Sequence, residues 1–358
     1  MHRSRISRAA QISKTDAMIE LFDAERVTTL LPWPTVVESL RAGFAAGPST
    51  IAPPRHHHQM HGGDGNGSDA PDADTPTLLL MPAWNPQYSG VKIASVFPAN
   101  RGTGVETING SYLLIDGSNG VPLALLDGGA LTVRRTAGAS LLAATMLARP
   151  TSSRLVVIGS GRLAGNLARG YAEMFPIDEI TVWNHRHAGA VRLADELVAD
   201  GLPATATDDA QAAVGAADIV TAATLSAEPV IAGAWLQPGT HVDLVGGFTP
   251  LMREADDDAI RASAVYVDTM IGALTEAGDI IQPITNGTLA EETIRGDLFA
   301  LCNEETSTLR PALPAGTITL FKSVGHALED LVAAATVFEA ADPQLAATRP
   351  APMSGRIT

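Results

Sequence analysis

The sequence is poor in cysteine, in positive charge and in long apolar runs, and each shortage excludes a class of protein. Cys302 is the single cysteine among 358 residues, so an internal disulfide is impossible, which is typical of a reducing cytoplasm. No apolar run approaches the roughly 20 residues that a membrane span requires. The net charge of −15 argues against nucleic acid or an anionic membrane as a partner. We therefore expect a soluble, cytoplasmic protein.

A glycine turn between an apolar strand and a helical segment is the most informative stretch of the chain. Leu155 to Ile158 is predicted to be a strand buried on both faces, and Gly159-Ser-Gly161-Arg-Leu-Ala164 follows it. Gly159 would allow a tight turn, Gly161 would let a pyrophosphate approach the backbone, and the helix N-terminus would bind the anion. The alternative is a glycine-rich turn that binds no nucleotide; the strand–turn–helix context favours a dinucleotide site.

Two regions of different secondary structure flank this turn. The first region is predicted to form a mostly antiparallel sheet with helices at 34–46 and 131–148. Its strands are predicted at 77–81, 91–97, 111–115 and 121–126. The stretch 61–76 is rich in Gly, Asp, Asn and Pro and is expected to be a mobile surface loop.

The second region alternates strands with helical segments, which predicts a doubly wound parallel sheet. Its further strands are predicted at 180–183, 204–206, 219–223, 241–245 and 265–268. A last amphipathic helix at 325–339 is expected to pack back on the first region. The predicted fold class is therefore α/β: a Rossmann-type parallel sheet plus a second α+β domain with a mostly antiparallel sheet.

The end of the second parallel strand bears on the choice of cofactor. In this fold an Asp or Glu about 20 residues beyond the glycines binds the ribose 2′-hydroxyl of NAD, whereas a nearby Arg accepts a 2′-phosphate. Here the strand is followed by Asn184-His185-Arg186, with no carboxylate. This favours NADPH, with NADH possible. The alternative reading of Arg186 is a solvated charge at the start of a helix.

Three separated cations of the first region suggest a carboxylate clamp. Lys92 lies within an otherwise apolar strand, and a buried lysine is costly unless an anion meets it. The alternative for Lys92 is an edge position from which the ammonium reaches water. Arg134 and Arg135 precede a run of small residues that would leave one arginine facing a ligand, and Arg55 follows two prolines. Arginine binds carboxylates bidentately, so the expected ligand is an acid.

Three histidines follow Arg55, but they do not predict a metal site. In an extended chain only His56 and His58 share a face, and a third ligand is lacking. His57 would lie on the same face as Arg55 and line the substrate pocket.

With these residues in view, the chain resembles the ornithine cyclodeaminase/mu-crystallin family from about Pro53 to Asp330. The resemblance is carried by six short motifs distributed along the chain. They are Pro54-Arg55, Gly90-Val-Lys92 with Pro98-Ala-Asn100, Leu131-Thr-Val-Arg-Arg135-Thr-Ala, Val157-Ile-Gly-Ser-Gly161, Val182-Trp-Asn184, and Phe321-Lys-Ser-Val-Gly325 with Asp330.

The resemblance implies a two-domain homodimer that binds a nicotinamide cofactor. Residues 1–126 with 321–358 would bind substrate and dimerise, and residues 127–320 would bind NAD(P). Arg55, Lys92 and Arg135 would hold the substrate carboxylate, with Lys92 as the catalytic candidate. The implied cofactor contacts are Thr107, Arg135, Gly159, Gly161, Arg162, Leu163, Asn184, Thr224, Val245 and Ser323.

One departure favours a particular branch of the family. Cyclodeaminases carry an Asp after the glycine pair where this chain has Gly246-Gly247-Phe248, and phenylalanine cannot accept a proton. The pattern resembles the ketimine reductase branch, whose members reduce the cyclic imino acid 1-pyrroline-2-carboxylate to L-proline, and often 1-piperideine-2-carboxylate to L-pipecolate. Ornithine cyclodeaminase, another amino-acid dehydrogenase and a non-catalytic crystallin-like binding protein stay open as alternatives.

Overall fold

The computed structural model describes residues 19–60, 75–100, 102–303 and 313–342. The loop predicted at 61–76 lies outside these ranges except for Thr75 and Pro76. Within the described ranges, no helix is both long enough and apolar enough to cross a membrane.

The first part of the chain forms a six-stranded sheet. Its strands lie in the order β1-β6-β5-β4-β3-β2; β1 is parallel to β6 and all other neighbours are antiparallel. This confirms the predicted mostly antiparallel sheet. The elements are β1 (Glu20–Phe22), α1 (Ala24–Leu30), α2 (Trp33–Ala45), β2 (His56–Gln59), β3 (Thr77–Trp84), β4 (Tyr88–Val96), β5 (Ile108–Asp116), β6 (Pro122–Asp127) and α3 (Gly128–Leu147).

The second part of the chain forms a seven-stranded, fully parallel sheet in the order β12-β13-β11-β10-β7-β8-β9. Its elements are β7 (Arg154–Ile158), α4 (Arg162–Met174), β8 (Glu179–Trp183), α5 (His187–Ala199), β9 (Ala204–Thr207), α6 (Ala210–Ala216), β10 (Ile219–Ala222), β11 (His241–Leu244), α7 (Asp257–Ala262), β12 (Ser263–Val267), α8 (Met270–Glu276), α9 (Gly278–Thr285), α10 (Leu298–Cys302) and β13 (Ile318–Lys322). The strand order reverses between β7 and β10, and ligands of such sheets bind at the carboxyl ends of the strands at this point.

A last helix, α11 (Ala327–Ala341), packs against α2, α3 and strands β3 to β5. The expectation that the late helix returns to the first region is confirmed. Its predicted start at residue 325 is wrong, because Gly325 has a φ of +86° and the His326 side chain caps the helix by accepting the Leu328 N–H. Similarly, α3 begins at Gly128 because Asp127 accepts the Ala130 N–H.

Strand β13 was missed by the sequence patterns, and it lies between β11 and β12. The predicted domain boundary between residues 320 and 321 falls inside this strand, since Phe321 and Lys322 pair with both neighbours. The domain limits themselves stay a prediction. Cys302 is buried in α10, and this burial raises the pKa of its thiol to about 11, which fits a packing role.

Candidate active site

The glycine turn after β7 has the geometry of an anion cradle. Gly159 has a φ of +114°, and a Cβ there would lie 2.7 Å from the carbonyl oxygen of Ala223, so only glycine fits. At Gly161 an added Cβ would meet no heavy atom within 4 Å, so the space above the turn is open. Gly161 is the N-cap of α4 and offers no side chain to its first turn. The backbone N–H groups in the first turn of α4 therefore have no capping side chain, and N–H groups of this kind can bind a pyrophosphate.

The carboxyl ends of β10, β11 and β13 lie at the same edge of the parallel sheet as this turn. The turn and these strand ends are called the cofactor edge below. Val245 and Ser323 follow β11 and β13 directly and are almost fully buried, and Thr224 lies two residues beyond the end of β10. The Val245 N–H donates to Ala222 and the Ser323 N–H donates to Leu244, so the three strand ends are joined to one another. The sheet therefore brings together these three predicted cofactor residues.

Arg162, at the start of α4, lies close to the segment around Thr107. The Arg162 guanidinium lies beside Gly129, and Leu163 follows it, half-buried, in the first turn of α4. A cavity of about 540 Å³ is lined by Glu106 and Ile108, which flank Thr107, and by Arg162. The structure thus places the Thr107 segment next to the start of α4.

The end of β8 provides an exposed basic edge. Asn184 is half-buried and its amide donates to the carbonyl of Arg186, at 3.0 Å. Gly189 lets Asn184 and Ser160 approach, because a Cβ there would lie 2.8 Å from the Asn184 amide nitrogen. Arg186 itself is exposed at the N-cap of α5.

Lys92 and Arg135 meet at the same buried carboxylate. The Lys92 Nζ lies 2.9 Å from Asp330 Oδ2, and Arg135 Nε lies 3.0 Å from Asp330 Oδ1. Arg135 Nη1 also bonds Glu329 at 2.8 Å. Both cations are less than a tenth exposed, so Lys92 does not reach water at a sheet edge. Both cations are therefore paired with carboxylates from α11 of the protein itself, and their contact with a ligand carboxylate stays a prediction.

The pKa values in this cluster reflect burial and mutual attraction. Burial lowers the pKa of Lys92 to about 8 against the attraction of Asp330, with Arg135 and Arg55 adding to the decrease. Burial raises the pKa of Glu329 to about 7 although Arg135 opposes it. Burial also acts to raise the pKa of Asp330, but Arg135 and Lys92 outweigh it and hold that pKa below its usual value.

Arg55 lies near Lys92 and Arg135, and these three residues are called the cation cluster below. Its Nη2 donates to the Gly325 carbonyl at 2.7 Å, and its Nε lies 3.0 Å from Glu276 at the end of α8. A Cβ on Gly325 would overlap the Arg135 guanidinium, so both arginines lie against this glycine. Gly325 lies two residues beyond Ser323, so the segment 323–325 connects the cofactor edge to the cation cluster.

A cavity of about 370 Å³ opens beside Arg55. Its polar wall includes Arg55, Glu276 and His326, and its apolar wall includes Met81 and Phe299. Burial lowers the pKa of His326, and Arg55 and Arg135 also lower it against Asp268 and Asp330. A pocket with an apolar wall and a few convergent polar groups suits a small acid with an apolar body.

The three histidines lie on β2, which directly follows Arg55, and none of them, including His57, is among the residues that line this cavity. The rings of His56 and His58 are stacked at 6.3 Å, so they share a face as expected. His57 is on the other face; partial burial, and then the charge of Arg55, lower its pKa. In the part of the chain that the structure describes, no group of three His, Cys, Asp or Glu side chains could hold a metal ion.

Several polar residues of this region were missed by the sequence analysis. Glu276, His326 and Glu329 contact or adjoin the predicted cations, and Glu254, Asp279 and Lys322 form a buried group beneath the strand ends. The signal in the sequence is the adjacent acids Glu329 and Asp330 in the first turn of the mostly apolar helix α11. Arg134, the second candidate beside Arg135, instead stacks on Trp33 with its guanidinium 4.0 Å from the ring centre.

Comparison with known proteins gives consistent matches along most of the chain. The model of the ornithine cyclodeaminase/mu-crystallin family matches residues 70–344. The Delta(1)-pyrroline-2-carboxylate reductase of Paracoccus denitrificans is 38% identical over 267 residues, covering 74% of this chain and 83% of that protein. The ketimine reductase mu-crystallin of Mus musculus is 34% identical, covering 73% of this chain and 80% of that protein.

The fold is also similar to that of a solved structure. It is Thermococcus litoralis Delta(1)-pyrroline-2-carboxylate reductase in complex with NADH and L-proline, with a TM-score of 0.80 at 29% identity. The match covers 90% of this chain and 97% of that chain. The fold is thus shared with a protein whose structure contains NADH and L-proline.

Proposed function

This chain belongs to the ornithine cyclodeaminase/mu-crystallin family, and we propose that it is an oxidoreductase that reduces cyclic ketimines with NADPH. The substrates proposed are 1-pyrroline-2-carboxylate, reduced to L-proline, and 1-piperideine-2-carboxylate, reduced to L-pipecolate. The proposal is supported by the names of the two relatives and of the solved structure.

The observation that carries the proposal is the convergence of three cations next to the cofactor edge. Arg55 and Arg135 both lie against Gly325, and Lys92 shares Asp330 with Arg135. A cyclic imino acid has one carboxylate and an apolar ring, which match this cation cluster and the apolar wall of the adjoining cavity.

The protein's own groups then have distinct tasks. When bound, NADPH supplies the hydride that reduces C2 of the ring. Arg55, Lys92 and Arg135 hold the substrate carboxylate and so orient C2 towards the cofactor edge. Lys92 holds a proton at Nζ near neutral pH, and its lowered pKa lets this proton move to the ring nitrogen; solvent is the other source.

The preference for NADPH is supported by the end of β8. Arg186 is exposed at the start of α5, and no carboxylate stands between Trp183 and Arg186 to repel a 2′-phosphate. The Arg186→Ala variant should therefore raise KM for NADPH and leave KM for NADH nearly unchanged.

We also propose a homodimer that forms through the outer face of the six-stranded sheet. Apolar residues from five neighbouring strands form one continuous row across this face. They are Pro82, Val91, Leu113, Leu125 and Leu21, in register from β3 to β1. Leu21 and Leu125 keep 65% and 37% of their surface exposed in one chain, an apolar area that a second copy would bury.

A panel of substrates with the purified protein tests the proposed function. We expect oxidation of NADPH with both cyclic ketimines, and slower oxidation of NADH. Ammonia release from L-ornithine would instead indicate a cyclodeaminase, and amine-dependent reduction of an open-chain 2-oxo acid would indicate another amino-acid dehydrogenase. Binding of NADPH without turnover of any of these compounds would indicate a non-catalytic binding protein.

Substitutions in the cation cluster test the assignment of residues. Arg55→Ala and Lys92→Ala should each lower kcat/KM at least ~10-fold, because each loses a charge-assisted bond to the substrate carboxylate. Arg41→Ala is the control, since Arg41 pairs with Glu38 and Thr145 away from the cluster. Unchanged kinetics in either of the first two variants would remove that residue from the site.

A further inference from the structure

A single buried carboxylate ties together the strand ends that border the cofactor edge. Glu254 is fully buried, and its Oε1 accepts the Thr224 N–H at 2.7 Å and the Thr224 hydroxyl at 2.8 Å. Its Oε2 accepts the N–H of Gly246 at 2.8 Å and of Gly247 at 3.3 Å. Thr224 follows β10 and the glycine pair follows β11, so one side chain joins two neighbouring strand ends.

Two further buried charges hold this carboxylate in place. Lys322, the last residue of β13, has its Nζ 3.1 Å from Asp279 Oδ2 and 3.8 Å from Glu254 Oε2. The other oxygen of Asp279 accepts the N–H of Glu254 at 2.8 Å and of Ala255 at 3.1 Å. All three charged side chains are fully buried. The group therefore connects β10, β11, β13 and the start of α9.

The packing around the group leaves it little freedom. A Cβ on Gly246 would overlap the backbone of Thr224, and one on Gly247 would lie 3.2 Å from Asp279 Oδ2 and 3.4 Å from Lys322 Nζ. The glycine pair thus lets the loop after β11 lie directly on the charged group. A buried charged group with fixed partners has one favoured arrangement, so it fixes the loops attached to it.

We propose that Glu254 is a positioning residue for the nicotinamide half of the cofactor site, acting through Thr224 and the Gly246–Gly247 pair. This inference rests on the proposed function for the identity of the cofactor. In a doubly wound sheet the adenosine half lies on the side of the first two strands, here β7 and β8, and the other half crosses to the strands beyond the switch point. Within the described residues, the hydrogen bonds of the Glu254 carboxylate all go to the latter side.

A comparison of two ligands separates positioning from general stability. The whole cofactor, NADPH, spans both halves, whereas adenosine 2′,5′-bisphosphate occupies the adenosine half only. Glu254→Gln places an amide NH₂ against backbone N–H donors, so the Kd for NADPH should rise at least ~10-fold while the Kd for the fragment stays unchanged. The same titrations are made with NADH as the whole cofactor and adenosine diphosphate as its adenosine half. The comparison can then be made whether the wild type prefers NADPH or NADH.

A neighbouring acid provides the matched control. The Asp256 side chain accepts the N–H groups of Gly233 and Ala259 and caps α7, and within the described residues it has no hydrogen bond to Thr224, Gly246 or Gly247. Asp256→Asn should leave the Kd of both ligands unchanged. If Glu254→Gln does not fold, Glu254→Asp is used, because its shorter side chain cannot reach both Thr224 and the glycine pair.

The outcomes distinguish this proposal from the proposed function. Unchanged binding of NADPH by the Glu254 variant, or equal weakening of the whole cofactor and the fragment, would overturn the positioning role. A wild-type protein that binds the cofactor but turns over no ketimine would contradict the proposed function, and the ligand comparison would still decide the role of Glu254.

Discussion

At the scale of single residues, Gly325 lies where the cofactor edge meets the cation cluster. Its φ of +86° is unfavourable for any residue with a side chain, and a Cβ would lie 2.9 Å from Arg135 Nη2 as well as overlapping Nη1. Its carbonyl accepts a hydrogen bond from Arg55. One glycine thus contacts two of the three proposed substrate-binding cations.

Gly325→Ala should therefore lower activity more than stability alone would explain. We expect a loss of about 1–3 kcal/mol in the free energy of unfolding from the backbone conformation. We also expect at least a ~10-fold loss in kcat/KM, because the Arg135 guanidinium must move. Gly287→Ala is the control: Gly287 has a φ of +79° with open space at the Cβ position. Equal kinetic effects of the two substitutions, measured with the ketimine assay, would contradict this reading.

The lowered pKa of Lys92 predicts a pH dependence of the reaction. Burial brings this pKa from 10.5 to about 8, so the ammonium loses its proton as the pH rises through this value. The plot of kcat/KM against pH should then fall on the alkaline side, with a limb near pH 8. In Lys92→Arg the guanidinium keeps its proton, so this limb should disappear even if the rate is lower. Persistence of the same limb in the Arg variant would assign it to another group.

At the scale of secondary-structure elements, strand β11 carries an acid into the core. Asp243 is fully buried, and its Oδ2 accepts hydrogen bonds from the hydroxyl of Thr221 at 2.7 Å and of Tyr171 at 3.1 Å. Burial raises the pKa of Asp243 to about 6, although these hydrogen bonds and Lys322 oppose it. The carboxyl group thus joins β11 to β10 and α4. At neutral pH it is charged and buried, which lowers the stability of the folded state.

The sign of this effect on stability follows from proton binding. Between the ordinary pKa of 3.8 and the folded pKa of about 6, the folded state binds the proton more tightly. Stability therefore decreases as the pH rises through this range. An Asn oxygen can still accept hydrogen bonds from both hydroxyls, but the amide does not titrate. The free energy of unfolding of Asp243→Asn should therefore increase relative to that of the wild type by about 1 kcal/mol between about pH 5 and about pH 8. Urea unfolding measures this difference, and Asp195→Asn, at an exposed position of α5, is the control. A difference independent of pH would contradict the prediction.

The elements differ in how far local sequence could predict them. Strand β7, the glycine turn and α4 are encoded in consecutive residues, so their pattern was sufficient. Strand β13 was not predicted, because it ends in Lys322, whose burial depends on Glu254 and Asp279 from distant parts of the chain. In the same way the sequence indicated Arg55, Lys92 and Arg135 as site residues, but not Glu276 and Glu329 as their partners. Such pairings depend on how α8 and α11 pack, which no local periodicity encodes.

At the scale of the whole molecule, the outer face of the six-stranded sheet predicts assembly. The apolar row across β3, β4, β5, β6 and β1 has Leu113 at its centre, paired with Val91 on one side and Leu125 on the other. A carboxylate placed there would be buried without a partner in a dimer but solvated in a monomer. Leu113→Asp should therefore shift the mass measured by sedimentation from two chains to one. Val198→Asp, at a 54% exposed apolar position of α5, should leave the mass unchanged. A wild-type protein that sediments as a single chain, or a Leu113→Asp variant that keeps the mass of two chains, would place the contact elsewhere or exclude it.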